Sequence, residues 1–448
     1  MYLDFLLEVF EENRRAEAIV WRGQSYTYGW LADAYKTRLD KISAAGIAGG
    51  DVAVLQADFS PQAVACLLAL IERGAIVVPI FRSTHADVER MFRIARARWR
   101  LLVEHDEAIK ISPLAGQSDH PLYDILRERG HPGLVLFSSG TSGDPKGAVH
   151  DFAHLLSKYR TRRRALRTLS FLLFDHIGGV NTLLHTLSNA GAIVTVEDRF
   201  PDAVCAAIER SKVEVLPTSP TFLNLLLLSE AYQRHDLSSL QLITYGTEPM
   251  PEATLARLNA VFPDKQLLQT YGLAEVGILR SKSRDNASLW VRVGGEGFET
   301  RVVDGMLEIK AVSGMLGYLN APSPYTEDGW FKTGDAVEVE GEWLRILGRR
   351  SEIINVGGEK VYPAEVEGVI EQMPNVAGAT VYGERNALVG NIVCAKVALV
   401  EPEPAGALAI RVKKFCAERL PRYKVPVRVS VVEGDLFSER FKKVRRDG

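Results

Sequence analysis

Residues 133–150 read GLVLFSSGTSGDPKGAVH, and the reading of this stretch decides the fold. Residues 133–137 form a short apolar run with the β-branched and aromatic content of a buried strand. Ten residues of almost no bulk follow: Ser138, Ser139, Gly140, Thr141, Ser142, Gly143, Asp144, Pro145, Lys146 and Gly147. Such a loop presents backbone N–H groups, hydroxyls and one ammonium, a donor set suited to a polyphosphate. Glycine matters because a Cβ would hold the backbone away from phosphate oxygens. It is not a Walker loop, because Gly147 rather than Ser or Thr follows Lys146, and Pro145 stands where a helix would have to begin. Ala148 and Val149 resume an extended pattern. Asp151 is the first plausible helix cap, ahead of Phe152, Leu155 and Leu156. The predicted order is strand, loop, strand, helix. A Gly/Ser-rich stretch can also be a flexible linker, but linkers seldom lie between two strand-like runs and carry a single lysine.

Length and charge bound the rest. The chain has 448 residues, 54 basic and 56 acidic side chains and a formal charge of −2. It is too long for one ordinary domain. The charge balance gives no electrostatic case for nucleic acid or an anionic membrane as principal partner. Cys66, Cys205, Cys394 and Cys416 lie far apart without metal-ligand spacing, as expected of reduced thiols in a cytoplasmic protein. The start, MYLDFLLEVFEENRR, is acidic and amphipathic rather than signal-like. The apolar stretch 65–81 is broken by Glu72 and Arg73 and is too short to span a bilayer. A monomer or homodimer is expected.

Residues 18–30 predict a hairpin turning at Arg22-Gly23, and 31–45 a helix. A β-α-β unit follows over 51–55, 61–72 and 75–79. Further strands are expected at 101–104, 134–137, 170–174, 192–197, 213–217 and 240–245. Strands alternating with helices at this spacing imply parallel, doubly wound sheets. Over 290–347 short runs alternate with Gly and Asp turns, as in a small antiparallel barrel. A fresh α+β pattern begins after Arg349, with a helix opened by Pro363, strands over 377–382 and 392–400, a helix over 407–419 and a strand over 427–432. Two domains are predicted, 1–349 and 350–448.

Four further stretches complete a pattern: YGLAE at 271–275, YTEDGWFKTGD at 325–335, GRRSEIINVGGEKVYP at 348–363, and the tail from Pro421, Tyr423 and Pro426 to FKKVRR at 441–446. Together with SSGTSGDPKGA, and in this order, they resemble the adenylate-forming superfamily of acyl- and aryl-CoA synthetases, carrier-protein adenylation domains and beetle luciferases. The resemblance covers essentially the whole chain. It implies an α/β fold, with a large N-terminal domain of doubly wound sheets plus a small β-barrel subdomain, and a small mobile α+β C-terminal domain.

The resemblance also assigns roles. Ser138, Ser139, Gly140, Thr141, Ser142, Gly143 and Lys146 would hold the phosphates. Gly246 and Thr247, in YGTEP, occupy the place of an adenine-binding turn. Tyr271 and Gly272 would lie at the adenine, and Glu275 would hold Mg²⁺, a task that needs a hard oxygen ligand. Ala274 stands where the family usually has a threonine at the α-phosphate. Asp335 would accept both ribose hydroxyls, a bidentate task suited to a carboxylate, and Arg349 would contact the ribose. Arg350 and Ser351 form the implied hinge, with Ser351 replacing the usual Asp or Lys. Gly357 and Gly358 would line the tunnel for the incoming thiol. The ending places the adenylation lysine at Lys443, with Lys442 as the alternative.

Residues 171–179 read FLLFDHIGG. Acyl- and aryl-CoA ligases commonly carry Phe-His-x-Gly-Gly here, and amino-acid-activating relatives Phe-Asp. This chain has Phe174-Asp175-His176, and Gly178-Gly179 favours the first alignment, with His176 closing the carboxylate site. His176 as a satisfied, half-buried imidazole is the alternative. Phe174, Asp175, Gly178, Gly179 and Ala274 are the expected pocket residues. The run KYRTRRRALR, 158–167, reads as a solvated helix face before a site for CoA phosphates.

The implied activity uses ATP and Mg²⁺ to convert a small carboxylic acid to acyl-AMP, then passes the acyl group to a thiol, CoA or a carrier-protein phosphopantetheine. An aromatic or medium acyl acid is expected, with an amino-bearing acid, met by Asp175, as the alternative. An amide-forming variant and an inactive nucleotide-binding regulator are the remaining alternatives, the latter because Ala274, Ser351 and Lys442 depart from pattern.

Overall fold

A computed structural model describes residues 1–81, 85–138, 145–432, 436 and 443. Strands Val52–Gln56, Ile76–Ile80 and Gly133–Ser138 are the parallel centre of one seven-stranded sheet. Almost every residue in them is buried, as near-continuous aliphatic runs require of strands covered on both faces. Their side chains divide by period two. Ala53, Leu55, Leu134 and Leu136 enter one apolar cluster, and Val52, Val54, Val135 and Phe137 another.

The first cluster also takes Ile19 and Ile193 from a second seven-stranded sheet. Between the sheets lie Pro61–Glu72 and Ile177–Ser188, both buried along nearly their whole length, because a helix apolar all round has no face for water. The second sheet carries Val215–Thr218, Leu242–Tyr245 and Gln266–Gln269 as parallel neighbours. The hairpin Glu17–Trp21 and Gln24–Thr27 forms its edge.

A six-stranded antiparallel sheet runs from Arg280–Ser283 to Trp343–Arg349. It reaches back beyond residue 290 because Arg280–Ser283 pairs with Val291–Gly294. After Arg349 a 3₁₀ turn, Arg350–Glu352, leads to a separate five-stranded sheet with its own apolar cluster. The helices Pro363–Ile370 and Ala405–Ala417 contribute to that cluster.

Two expectations are corrected. The strand placed at 170–174 is Arg167–Ser170. Its parallel register ends at Ser170 opposite Thr195, and the carbonyl of Phe171 accepts from Arg199 Nε instead of from a strand. The basic run 158–167 is no helix face. It turns as 3₁₀ over Ser157–Arg160, and Arg160 and Arg162 pair with Asp4 and Glu12 of the first helix. Lys158 is half-buried, with Nζ donating to Asn181 Oδ1 at 2.7 Å, and burial pushes its pKa down to about 8.

All four cysteines are buried and unbridged. Burial pushes the thiols of Cys66 and Cys205 up to about 12, and those of Cys394 and Cys416 to about 11. No helix among the described residues is long and apolar enough to cross a membrane.

Candidate active site

The Gly-rich stretch joins two antiparallel strands, Gly133–Ser138 and Lys146–Asp151, with Ser138 opposite Lys146. Asp151 caps the following helix, Phe152–Leu156, by accepting from the N–H of Ala153. The order strand, strand, helix is therefore as expected. Ser139, Gly140, Thr141, Ser142 and Gly143 lie outside the described residues, as does Lys442.

On its other side the exit strand pairs with a two-residue strand, Gly317–Tyr318, with Tyr318 opposite Ala148. Asn320 follows and locks the loop's exit. Its Oδ1 accepts from the N–H of Gly147 at 3.1 Å, and its Nδ2 donates to the carbonyl of Pro145 at 2.9 Å. Lys146 Nζ stands 5.6 Å from the centre of the Tyr318 ring, within cation–π reach.

Tyr318 also reaches Glu275. Its hydroxyl donates to Glu275 Oε1 at 2.7 Å. Burial and the neighbouring Glu275 charge push the phenol's pKa up, so it stays a donor. Glu275 sits at the tip of the tight hairpin Gly272–Leu273 and Gly277–Ile278, and its own carbonyl accepts from the N–H of Met315 at 2.7 Å. It is 9% exposed, and no described side chain donates to its second carboxylate oxygen. A buried carboxylate with one oxygen engaged fits a divalent Mg²⁺ that takes its other ligands from phosphates and water.

A second cluster lies where the antiparallel sheet meets the parallel one. Tyr271 Oη donates to Asp335 Oδ2 at 2.5 Å, and Arg349 Nε lies 3.0 Å from Asp335 Oδ1. Asp335 and Arg349 are cross-strand partners. Burial pushes the Asp335 carboxyl up, against the pull of Arg349 and the Tyr271 hydroxyl. At the end of Leu242–Tyr245, Gly246 packs so closely on Thr270 that a Cβ would lie 2.6 Å from its carbonyl oxygen. Thr247 follows with φ +73°, a strained value for a β-branched residue.

Residues 174–179 are built more into the core than into a wall. Phe174 is buried edge-on against Phe59, ring centres 4.6 Å apart. Asp175 is buried, and its Oδ2 accepts from the N–H of Phe81 at 3.4 Å. His176 is the N-cap of Ile177–Ser188, its Nδ1 accepting from Gly178 N–H at 3.0 Å, which leaves the neutral ring's proton on Nε2. At Gly179 a Cβ would stand 1.9 Å from the carbonyl oxygen of Leu173. Gly179→Ala is expected to destabilise the chain by about 1–3 kcal/mol, seen as a lower urea midpoint at unchanged slope. An unchanged midpoint would contradict this packing.

The smaller domain places Gly357 and Gly358 in the turn between Ile354–Val356 and Glu359–Val361, with φ +61° and +94°. A two-residue hairpin turn with both φ positive favours glycine. Lys443 does not lie with Glu275 or Asp335. Its Nζ is 2.6 Å from Glu371 and 3.2 Å from Glu367, both buried on or just after Pro363–Ile370. Its backbone N–H donates to Glu248 Oε1 at 2.6 Å. Burial pushes the Glu371 carboxyl up, while Lys443 opposes that shift.

Glu275 with Tyr318, and Asp335 with Tyr271 and Arg349, thus gather around the loop's exit strand and the antiparallel sheet. Tyr318 and Asn320 had no motif to announce them. The only hint was Gly317-Tyr318 lying shortly before the 325–335 stretch.

Doubly wound sheets in a large N-terminal domain, followed by a smaller α+β domain, are the architecture of adenylate-forming enzymes. The chain belongs to the AMP-binding enzymes: residues 7–308 match that family, and residues 365–440 match the AMP-binding enzyme C-terminal domain. Indoleacetate–CoA ligase of Aromatoleum aromaticum is 27% identical, over 96% of this chain and 94% of its own. The 2-succinylbenzoate–CoA ligase of Bacillus subtilis is 26% identical, over 93% and 91%. Among solved structures, the anthranilate CoA ligase AuaEII in complex with anthranoyl-AMP superposes with a TM-score of 0.82 at 20% identity, covering 98% of this chain and 95% of that one.

Proposed function

We propose that the chain is a cytoplasmic, AMP-forming acid–thiol ligase. It activates a carboxylic acid with ATP to acyl-AMP and pyrophosphate, then passes the acyl group to a thiol, CoA before a carrier-protein phosphopantetheine, releasing AMP. One observation carries this reading. The strand leaving the Gly-rich loop is hydrogen-bonded to Gly317–Tyr318, and Tyr318 holds Glu275. A phosphate-suited loop and a buried hard-oxygen ligand are therefore parts of one unit.

In this reading Lys146 and the loop hold the polyphosphate, Tyr271 and Gly246–Thr247 flank the adenine, and Asp335 takes the ribose hydroxyls. Glu275 would hold Mg²⁺, which when bound would supply neutralisation of the phosphate charge. A substrate carboxylate oxygen attacks the α-phosphorus in line and pyrophosphate leaves. Lys443 brings an ammonium to the charge that develops there. In the second step the thiol loses its proton to solvent, the thiolate sulfur attacks the acyl carbonyl carbon, and AMP departs with the bonding pair. One site serving two reactions needs two orientations of the smaller domain. We place the domain division after Arg349, the hinge at Arg350 and Ser351, and the Gly357–Gly358 turn on the thiol side.

The named relatives act on indoleacetate and 2-succinylbenzoate, and the superposed structure on anthranilate. Each acid carries an aromatic ring, which favours an aryl or arylalkyl acid here. ATP–pyrophosphate exchange across aryl, fatty and amino acids is expected to be highest with an aryl member. Free CoA and a phosphopantetheinylated carrier then compete as acceptors, with CoA expected to prevail. Silence from every acid would overturn the proposal.

A further inference from the structure

The exit strand of the Gly-rich loop carries a side chain that the reaction above does not use. His150 is completely buried, and its Nε2 lies 2.6 Å from the carbonyl oxygen of Ala274. A carbonyl only accepts, so Nε2 carries the proton and donates. Burial holds the imidazole's pKa below its ordinary value, so the ring stays neutral.

Ala274 immediately precedes Glu275 in the hairpin. Three contacts therefore fix the carboxylate-bearing residue: His150 through the preceding carbonyl, Met315 through Glu275's own carbonyl, and Tyr318 through Oε1. Two of the three belong to the loop's sheet. His150 lies on the exit strand, four residues after Lys146, and Tyr318 on the strand paired with it. The third joins the same unit, because Leu316, next to Met315, donates to the carbonyl of Val149.

We propose that His150 is a positioning residue that ties the strand leaving the phosphate loop to the backbone of the metal-binding carboxylate, holding Glu275 at a fixed distance from the loop. The inference rests on the reading of Glu275 as the Mg²⁺ ligand. A side chain of this kind acts as an outer partner of a metal site, where loss typically costs 10–100-fold in metal affinity or activity. It needs a donor at the Nε2 position and nothing else from the ring. Glutamine places an amide N–H₂ near that point. Asparagine places one near Nδ1, and leucine places none.

The test is ATP binding to the full chain by calorimetry, titrated with Mg²⁺ and without acid substrate, so that turnover is not required. The wild-type chain is expected to bind ATP more tightly as Mg²⁺ is added. In His150→Leu and His150→Asn the Mg²⁺ concentration giving half of that gain should rise about 10–100-fold. In His150→Gln it should stay within about threefold of wild type, with Mg²⁺-free ATP affinity unchanged in all three. If Leu and Asn variants that melt cooperatively keep the wild-type Mg²⁺ dependence, the inference is overturned. It is equally overturned if Gln is as impaired as Asn, since the ring would then serve only to fill space. Should the Leu variant not fold, the Gln and Asn pair decides alone. Glu275→Gln separates the two levels. Loss of the Mg²⁺ gain there supports the underlying reading, and retention overturns that reading and this inference together.

Discussion

Lys443→Ala is expected to lower acid-dependent ATP–pyrophosphate exchange by about 10²–10³-fold, while thiolysis of supplied acyl-AMP continues at close to the wild-type rate. The ammonium is stored between Glu367 and Glu371 on the smaller domain. Its proposed work is elsewhere, at the charge developing on the α-phosphate, so the smaller domain must carry it there. The storage site adds a second effect with its own signature. Removing the cation leaves two buried carboxylates side by side, one of them already pushed towards the neutral form by burial. Breaking a buried pair from one side typically costs about 3–5 kcal/mol, so the variant should also melt at lower temperature. Glu371→Gln keeps the lysine and removes one charge. It should retain exchange, whereas Lys443→Ala should not. Exchange within about twofold of wild type in Lys443→Ala would remove Lys443 from the reaction.

Asp335→Asn should raise the ATP dissociation constant by roughly 10–100-fold, read by calorimetry. The carboxylate is 5% exposed, accepts from the Tyr271 hydroxyl and is ion-paired with the Arg349 guanidinium. In the proposed complex the ribose hydroxyls bring donors to the same two oxygens. Hydrogen bonds to a charged acceptor contribute about 1.5–3 kcal/mol each, and the amide of asparagine turns one acceptor into a donor facing Arg349 or Tyr271. Tyr271→Phe is the informative companion. It removes a donor that competes for Asp335 without touching the carboxylate, so it should not weaken ATP binding through Asp335. Unchanged ATP affinity in Asp335→Asn would exclude the carboxylate from nucleotide recognition.

What was legible from residue order was local in origin. The two strands and the helix around residues 133–156 follow from apolar runs on either side of a glycine-rich stretch and from a capping aspartate, all within one short window. The buried parallel strands were legible because their aliphatic runs had no polar alternation. The contacts that assemble the site were not. Asn320 acts on Gly147, 173 residues away, and Tyr318 acts on Glu275 across 43. A lone asparagine or tyrosine has no periodicity to mark it, and its partner is set by which strands pair. The misjudged stretches share another cause. The stretch 170–174 looks like a strand because it is almost wholly apolar, yet the carbonyl of Phe171 is satisfied by the distant Arg199. The basic run at 158–167 is exposed over 160–165, as its charge implies, but it is no helix, and its ion pairs reach the first helix, Glu17 and Glu214. Lys443 was placed by the order of motifs, but no sequence rule could tell that two glutamates would hold it.

The burial of the four cysteines bears on the fate of the acyl group. A mixed anhydride of a carboxylic acid and AMP is an acyl donor that any nearby thiolate can intercept. With pKa values of about 11 and 12, the protein's own thiols are ionised at neutral pH to the order of 10⁻⁴ or less. All four are also closed off from solvent. In the proposed reaction the acyl-AMP would therefore form in the absence of bystander sulfur nucleophiles, and an acceptor thiol would meet no rival from the polypeptide.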